Sequence, residues 1–187
     1  MTKTALLVID MQMDMAFRIA EGQPHTGPDV PGRIAELLQL FRETGRPVLH
    51  VHHSEPEPGS PFHPDMPGAA PMPCALPQFH EPVFRKTTSS AFPSTDLEAH
   101  LRANGIDRLV ICGAVAAFCV NSTTRSASDL GFSVIVVEDA VLGFGLPDRA
   151  NGMIPPETVL AVTLSALDLD FARVLPTARI AEALQPA

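Results

Sequence analysis

The sequence predicts an α/β fold with a mostly parallel sheet covered by helices on both faces. Three observations carry that expectation. Apolar runs alternate with helical stretches along the whole chain, the pattern of repeated βαβ units with right-handed crossovers. Some of those runs are continuous, as in strands buried on both faces. Apolar residues make up 45% of the chain and charged residues 18%, enough to build a core and too little charge for disorder. A length of 187 residues predicts one domain spanning 1–187.

Each element has its own signal. The run Thr4–Ile9 is the first strand. A helix follows over about Pro31–Thr44, with proline in its first turn and Gly45 as its stop. Pro47–His53 is the second strand, with Val48 and Val51 apolar. Many of the 19 prolines fall between Pro56 and Pro82, so residues 54–81 read as a loop ordered by packing. A short third strand lies near Val83–Arg85. Thr95 and Glu98 fit a capping box for a helix that stops near Asn104-Gly105. Leu109–Cys112 is strand four, and Phe118–Leu130 a helix ended by Gly131. Phe132–Val137 is strand five, followed by a loop with Gly143, Gly145 and Pro147. Pro156–Leu167 is a helix, Arg173–Leu175 a short strand six, and about Thr177–Leu184 the last helix.

Composition excludes several partners. A net charge of −8 with no basic run argues against nucleic acid. No stretch approaches the roughly 20 apolar residues of a membrane span, and the first strand begins too early for a signal peptide. The three cysteines, Cys74, Cys112 and Cys119, have no CxxC spacing, which suggests a reducing, cytoplasmic setting. There is neither GxGxxG nor GxxxxGK[ST] for a phosphate. No cofactor is expected. His50, His52 and His53 share strand two, where alternation sends His50 and His52 to one face and His53 to the other. They lack the spacing and acidic companion of a metal site.

Three side chains stand where a parallel sheet delivers chemistry, outside the carboxyl ends of its strands. Asp10 ends strand one, Lys86 follows strand three, and Cys119 lies past strand four at a helix start. A thiol there feels the positive end of the helix dipole, which favours the thiolate nucleophile. Cys112 and Cys74 read as ordinary buried or loop thiols. Asp10 suits a general base that later returns the proton, or a turn cap. Lys86 suits charge balance and stabilisation of developing charge, or an ordinary surface site. Alternation sends its neighbour Arg85 to the opposite face.

The motifs that carry these residues resemble the isochorismatase-like cysteine hydrolase superfamily. They are Leu7-Val-Ile-Asp-Met-Gln12, Phe84-Arg-Lys-Thr-Thr-Ser-Ser-Ala-Phe92, Val110-Ile-Cys-Gly-Ala-Val-Ala-Ala-Phe-Cys-Val120, Thr123-Thr-Arg-Ser-Ala127 and Val136-Val-Glu-Asp-Ala140. The resemblance implies a three-layer αβα sandwich, Rossmann-like, around a six-stranded parallel sheet of order 3-2-1-4-5-6. It implies Asp10 as base, Lys86 as the lysine of the triad and Cys119 as nucleophile. It also implies a non-proline cis peptide at Ala114–Val115, with the Val115 and Cys119 N–H groups as oxyanion hole.

The activity implied is hydrolysis of a small-molecule amide or related C–N bond through a thioester. The alternatives are vinyl-ether hydrolysis by Asp10 without a covalent step, or a non-catalytic member of the fold. Gln12, Phe17, Phe62, Phe118 and Phe144 are candidates to line the substrate pocket, or to pack the core. Nicotinamidases of this superfamily hold a metal through an Asp and two His after strand two. Here that stretch reads His53-Ser-Glu55 and then Pro61, so no metal is expected. The family commonly forms dimers or tetramers, and a homo-oligomer is expected here.

Overall fold

A computed structural model describes residues 3–185. Its main sheet has six strands: β1 (Lys3–Ile9), β2 (Val48–His53), β3 (Val83–Lys86), β4 (Ile106–Ala114), β5 (Ser133–Leu142) and, last in the chain, β8 (Arg173–Leu175). Their order is β3-β2-β1-β4-β5-β8 and every pairing is parallel. This is the expected 3-2-1-4-5-6 topology. The sixth strand is β8 because a small antiparallel pair, β6 (Leu146–Pro147) and β7 (Met153–Ile154), precedes it.

Strand β1 is buried from Thr4 to Ile9, since both faces of this central strand are covered. On one face lie α1 (Met13–Ala20), α2 (Val30–Glu43) and α6 (Thr177–Ala183). Met15, Ile34, Leu37, Phe41 and Ile180 pack there against Leu6, Val8 and Val110. On the other lie α3 (Leu97–Ala103), α4 (Asn121–Asp129) and α5 (Pro156–Asp170). Leu97, Leu101, Ala127 and Leu167 there cover Leu7, Ile9, Leu49 and Ile111. Burial of this kind contributes about 25 cal/mol per Å² of apolar surface. The result is a three-layer sandwich.

Four local expectations are corrected. Helix α1 was not foreseen, because no glycine or proline separates it from β1: only Asp10, Met11 and Gln12 intervene. The Thr95–Glu98 capping box does not form. The Thr95 hydroxyl accepts the Leu97 N–H at 3.1 Å, but Glu98 turns to Arg102 at 3.4 Å instead of reaching back. The helix expected over Phe118–Leu130 begins earlier, as a π-helical turn over Ala116–Val120 that runs into α4. Lys86 is the last residue of β3 rather than a residue beyond it.

The long loop is held by packing, as its prolines predict. It contains two 3₁₀ turns, Pro67–Ala69 and Pro73–Ala75. The backbone ties it to the end of β1, with Met13 N–H donating to Ala70 at 2.8 Å and Met72 N–H to Met11 at 2.8 Å. Among the described residues no helix is long and apolar enough to cross a membrane.

A buried ion cluster anchors the far end of that loop. Glu81 takes a two-pronged bond from Arg42, 2.8 Å at each oxygen, and a 2.9 Å contact from His50. Burial alone would raise its carboxyl. Arg42, the Gln78 N–H and His50 outweigh that and hold it at about 2, from an ordinary 4.5. A carboxyl depressed on folding stabilises the protein fully above its unfolded value and loses that contribution as pH falls through the folded one. Glu81→Gln is therefore expected to cost on the order of 3 kcal/mol near pH 7. The deficit against wild type should fade between pH 4.5 and 2. Urea unfolding of both proteins across that range checks it; a deficit unchanged with pH would contradict the assignment.

Candidate active site

The register of the sheet brings the three predicted side chains to one place. Ile9 pairs with Val51 on one side and Gly113 on the other, and His53 pairs with Lys86. The residues just beyond or at these ends are Asp10, the Ala114–Val115 turn and Lys86. Asp10 leaves the strand at φ 48°, a left-handed conformation that is uncommon outside glycine and clusters at functional sites. The Ala114–Val115 peptide is cis, and the π turn that follows carries Cys119.

Lys86 is fully enclosed, with 0% of its surface exposed. Its ammonium has three donors and three acceptors around it: Asp10 Oδ2 at 2.7 Å, Cys119 Sγ at 3.2 Å and His53 Nδ1 at 3.1 Å. The sequence offered Lys86 either an active or a solvated role, and the solvated one is excluded. Arg85 next to it is exposed on the opposite face, as alternation requires.

His53 and its partner Glu55 had no assigned part. An ammonium can only donate, so His53 Nδ1 accepts and the proton sits on Nε2. Nε2–H then donates to Glu55 Oε1 at 3.0 Å. Ser60 in turn donates to Glu55. The signal was available: alternation on β2 turns His53 away from His50 and His52, to the face that carries Lys86. Among the described residues no cluster of three His, Cys, Asp or Glu side chains is arranged to hold a metal ion.

The titration of the thiol differs from the sequence expectation. Burial, and then the Asp10 carboxylate, push Cys119 up to about 12, against the smaller opposing pull of Lys86. Cys119 sits within the π turn rather than at the start of a regular helix. Burial also raises Asp10, with Lys86 opposing. Its Oδ1 is buried without a hydrogen-bond partner. Burial thus raises both members of the pair, which favours the thiol over the thiolate and makes the Asp10 carboxylate a stronger base.

The Val115 N–H donates to no group among the described residues, while its carbonyl accepts from Phe118 at 3.0 Å and Val120 at 3.3 Å. Behind the turn, the quoted motifs clasp one another. Thr123 Oγ1 accepts the Ala91 N–H at 3.1 Å, and Ser90 donates to Ser126 at 2.9 Å. The segment after Lys86 is thereby fastened to α4.

Of the five pocket candidates, Gln12 and Phe62 border one cavity beneath the long loop. Gln12 is buried and fully engaged: its amide donates to His53 O and Ala69 O, each at 3.0 Å, and accepts from His53 N–H at 2.8 Å. It splices β1, β2 and the long loop. Phe62 is buried edge-on to His53, centroids 5.1 Å apart. Phe144 lies in the core beside His25, with Arg18 above its ring. Phe17 and Phe118 are exposed. Hydrophobic type alone does not tell a core ring from a rim ring, which is why the sequence grouped them.

A doubly wound sheet with a thiol, a carboxylate and an ammonium at its switch point has the layout of an α/β enzyme. The isochorismatase domain family model matches residues 4–154, and the chain belongs to the isochorismatase family. It is a hydrolase of that family. It is 33% identical over 175 residues to the isochorismatase family protein YrdC of Bacillus subtilis, covering 94% of this chain and 92% of that one. It is 32% identical over 156 residues to the maleamate amidohydrolase of Pseudomonas putida, covering 74% and 72%. An isochorismatase-family structure from Chromobacterium violaceum superimposes with a TM-score of 0.92 at 38% identity, covering 97% of this chain and 93% of that one.

Proposed function

We propose that this protein is a cysteine-dependent amidohydrolase that cleaves a small-molecule amide or related C–N bond through a thioester. The observation that carries the reading is the Lys86 ammonium in simultaneous contact with Asp10 and Cys119. A maleamate amidohydrolase among its relatives supports the bond type.

Asp10 takes the thiol proton as Cys119 Sγ attacks the carbonyl carbon. The oxyanion accepts from the Val115 and Cys119 N–H groups. Asp10 then gives its proton to the departing nitrogen, the C–N bond breaks, and an amine or ammonia leaves with a thioester on Cys119. Asp10 deprotonates the incoming water, whose oxygen adds to the thioester. Collapse expels the thiolate, which recovers the proton from Asp10, and a carboxylic acid departs. Net, one water is consumed. Lys86 keeps both anions tolerable in turn without leaving its place. A thiol that rests protonated suits this scheme, because the nucleophile forms only when Asp10 can complete the transfer.

The test is the pH dependence of iodoacetamide alkylation, located by mass spectrometry. In the native protein labelling of Cys119 should climb only above the ordinary thiol range, since its pKa is pushed to about 12. Asp10→Asn removes a negative neighbour and should move the rise to lower pH; Lys86→Met removes a positive one and should move it higher. Cys112 is fully buried and Cys74 is also raised by burial, so neither should compete. A Cys119 profile indifferent to both substitutions would defeat the proposal.

A further inference from the structure

The ladder between β2 and β3 has two faces, and only one is used by the proposed chemistry. His53 and Lys86 are cross-strand partners on the reaction face. One residue earlier, His52 and Arg85 are partners on the opposite face. Parallel neighbours stand about 4.8 Å apart, so an imidazole and a guanidinium rise side by side there.

That face opens into a cavity of about 350 Å³ beneath the long loop, and none of Asp10, Lys86 and Cys119 lines it. His52 and Arg85 are in its wall with Ser54, and Phe62, Met66 and Pro77 supply apolar surface. No Asp or Glu lines it, although the chain carries a net charge of −8. His52 is only 8% exposed and has no hydrogen-bond partner among the described residues. Arg85 has no acidic partner among them either. Glu81, farther along the loop, is already committed to Arg42, His50 and the Gln78 N–H.

Burial, then His50 and Arg85, lower His52 to about 4, so at neutral pH it is an uncharged ring with an N–H to give. The half of this pair set on β2 is a largely enclosed ring with no hydrogen-bond partner, and the half on β3 is an exposed guanidinium with no anion beside it. A carboxylate set between them would satisfy both, accepting from the Arg85 fork and the imidazole. The apolar remainder of the wall would take a hydrocarbon body.

We infer that the cavity formed by His52, Arg85 and Ser54 on the far side of the β2–β3 ladder is a binding site for a small carboxylate with an apolar body. It is separate from the reaction site, yet touches it. Gln12 and His53 line the cavity, and His53 holds Lys86. An occupant is therefore one residue away from the ammonium that the reaction needs.

The experiment is a titration of the isotope-labelled whole protein with benzoate, acetate and inorganic phosphate, followed by side-chain NMR of histidine and arginine. Benzoate should give saturable shifts at His52 and Arg85 and bind more tightly than acetate or phosphate. Arg85→Gln, at an exposed position that should leave folding intact, should weaken benzoate at least about tenfold. His52→Phe should do likewise. Saturation unaltered by Arg85→Gln, or shifts confined to the residues around Cys119, would overturn the assignment. So would phosphate or acetate binding as well as benzoate, or no saturable shift with any of the three. The readout needs no turnover, so its failure is distinct from failure of the thioester mechanism, which the alkylation profile tests.

Discussion

Cys119→Ala is expected to abolish turnover while leaving the fold in place. Once an amide library has identified a substrate by ammonia or amine release, the variant should lose at least about a thousandfold in kcat/KM. The side chain is partly exposed at the edge of its cluster, so deleting one sulfur should change stability by no more than about 1 kcal/mol. Circular dichroism and thermal unfolding separate the two effects. Because Asp10 is raised by burial, it is also equipped to act as an acid on an enol ether. Full activity of Cys119→Ala on any substrate would remove the thioester from the mechanism and leave Asp10 to work alone.

Gly113→Ala should be the most damaging small substitution in the protein. Gly113 has φ 124°, a conformation side chains rarely adopt. A Cβ there would lie 2.1 Å from Ile9 O and 2.6 Å from Ile9 N, both backbone atoms of the neighbouring central strand. Neither β1 nor β4 can retreat, because each is covered on both faces. A cost above about 4 kcal/mol is expected, and for a chain of this size a fall in Tm of roughly 10 °C or more. Activity should fall with it, since Gly113 precedes the turn that carries Cys119. An alanine variant that melted within about 2 °C of wild type would show that the strands have slack that the structure does not display.

Much of this was legible beforehand. The strand ends were, because continuous apolar runs such as Ala5–Ile9 stop at residues that a core rejects, and parallel topology then forces those ends together. The lysine was legible through its neighbour: alternation had to bury one of Arg85 and Lys86, and the quoted motif selected Lys86. What could not be read has local physical causes. Helix α1 lacks punctuation. The π turn depends on how one carbonyl, Val115 O, is shared between Phe118 and Val120. The state of the thiol depends on desolvation, which is a property of the assembled site and pushes its pKa upward. The pocket residues were the least legible, because residue type alone does not separate the buried Phe62 and Phe144 from the exposed Phe17 and Phe118.

The three proposed catalytic groups do not hang from equally firm supports. Asp10 and the thiol turn follow β1 and β4, the two middle strands. Lys86 ends β3, a four-residue edge strand paired only to β2. Residues 54–81 form most of the connection that leads from β2 into that edge. One jaw of this calliper is therefore clamped in the core, while the other stands at the margin of the sheet, beside the long loop. A lineage carrying this fold can try new substrates at its margin without risking its foundation.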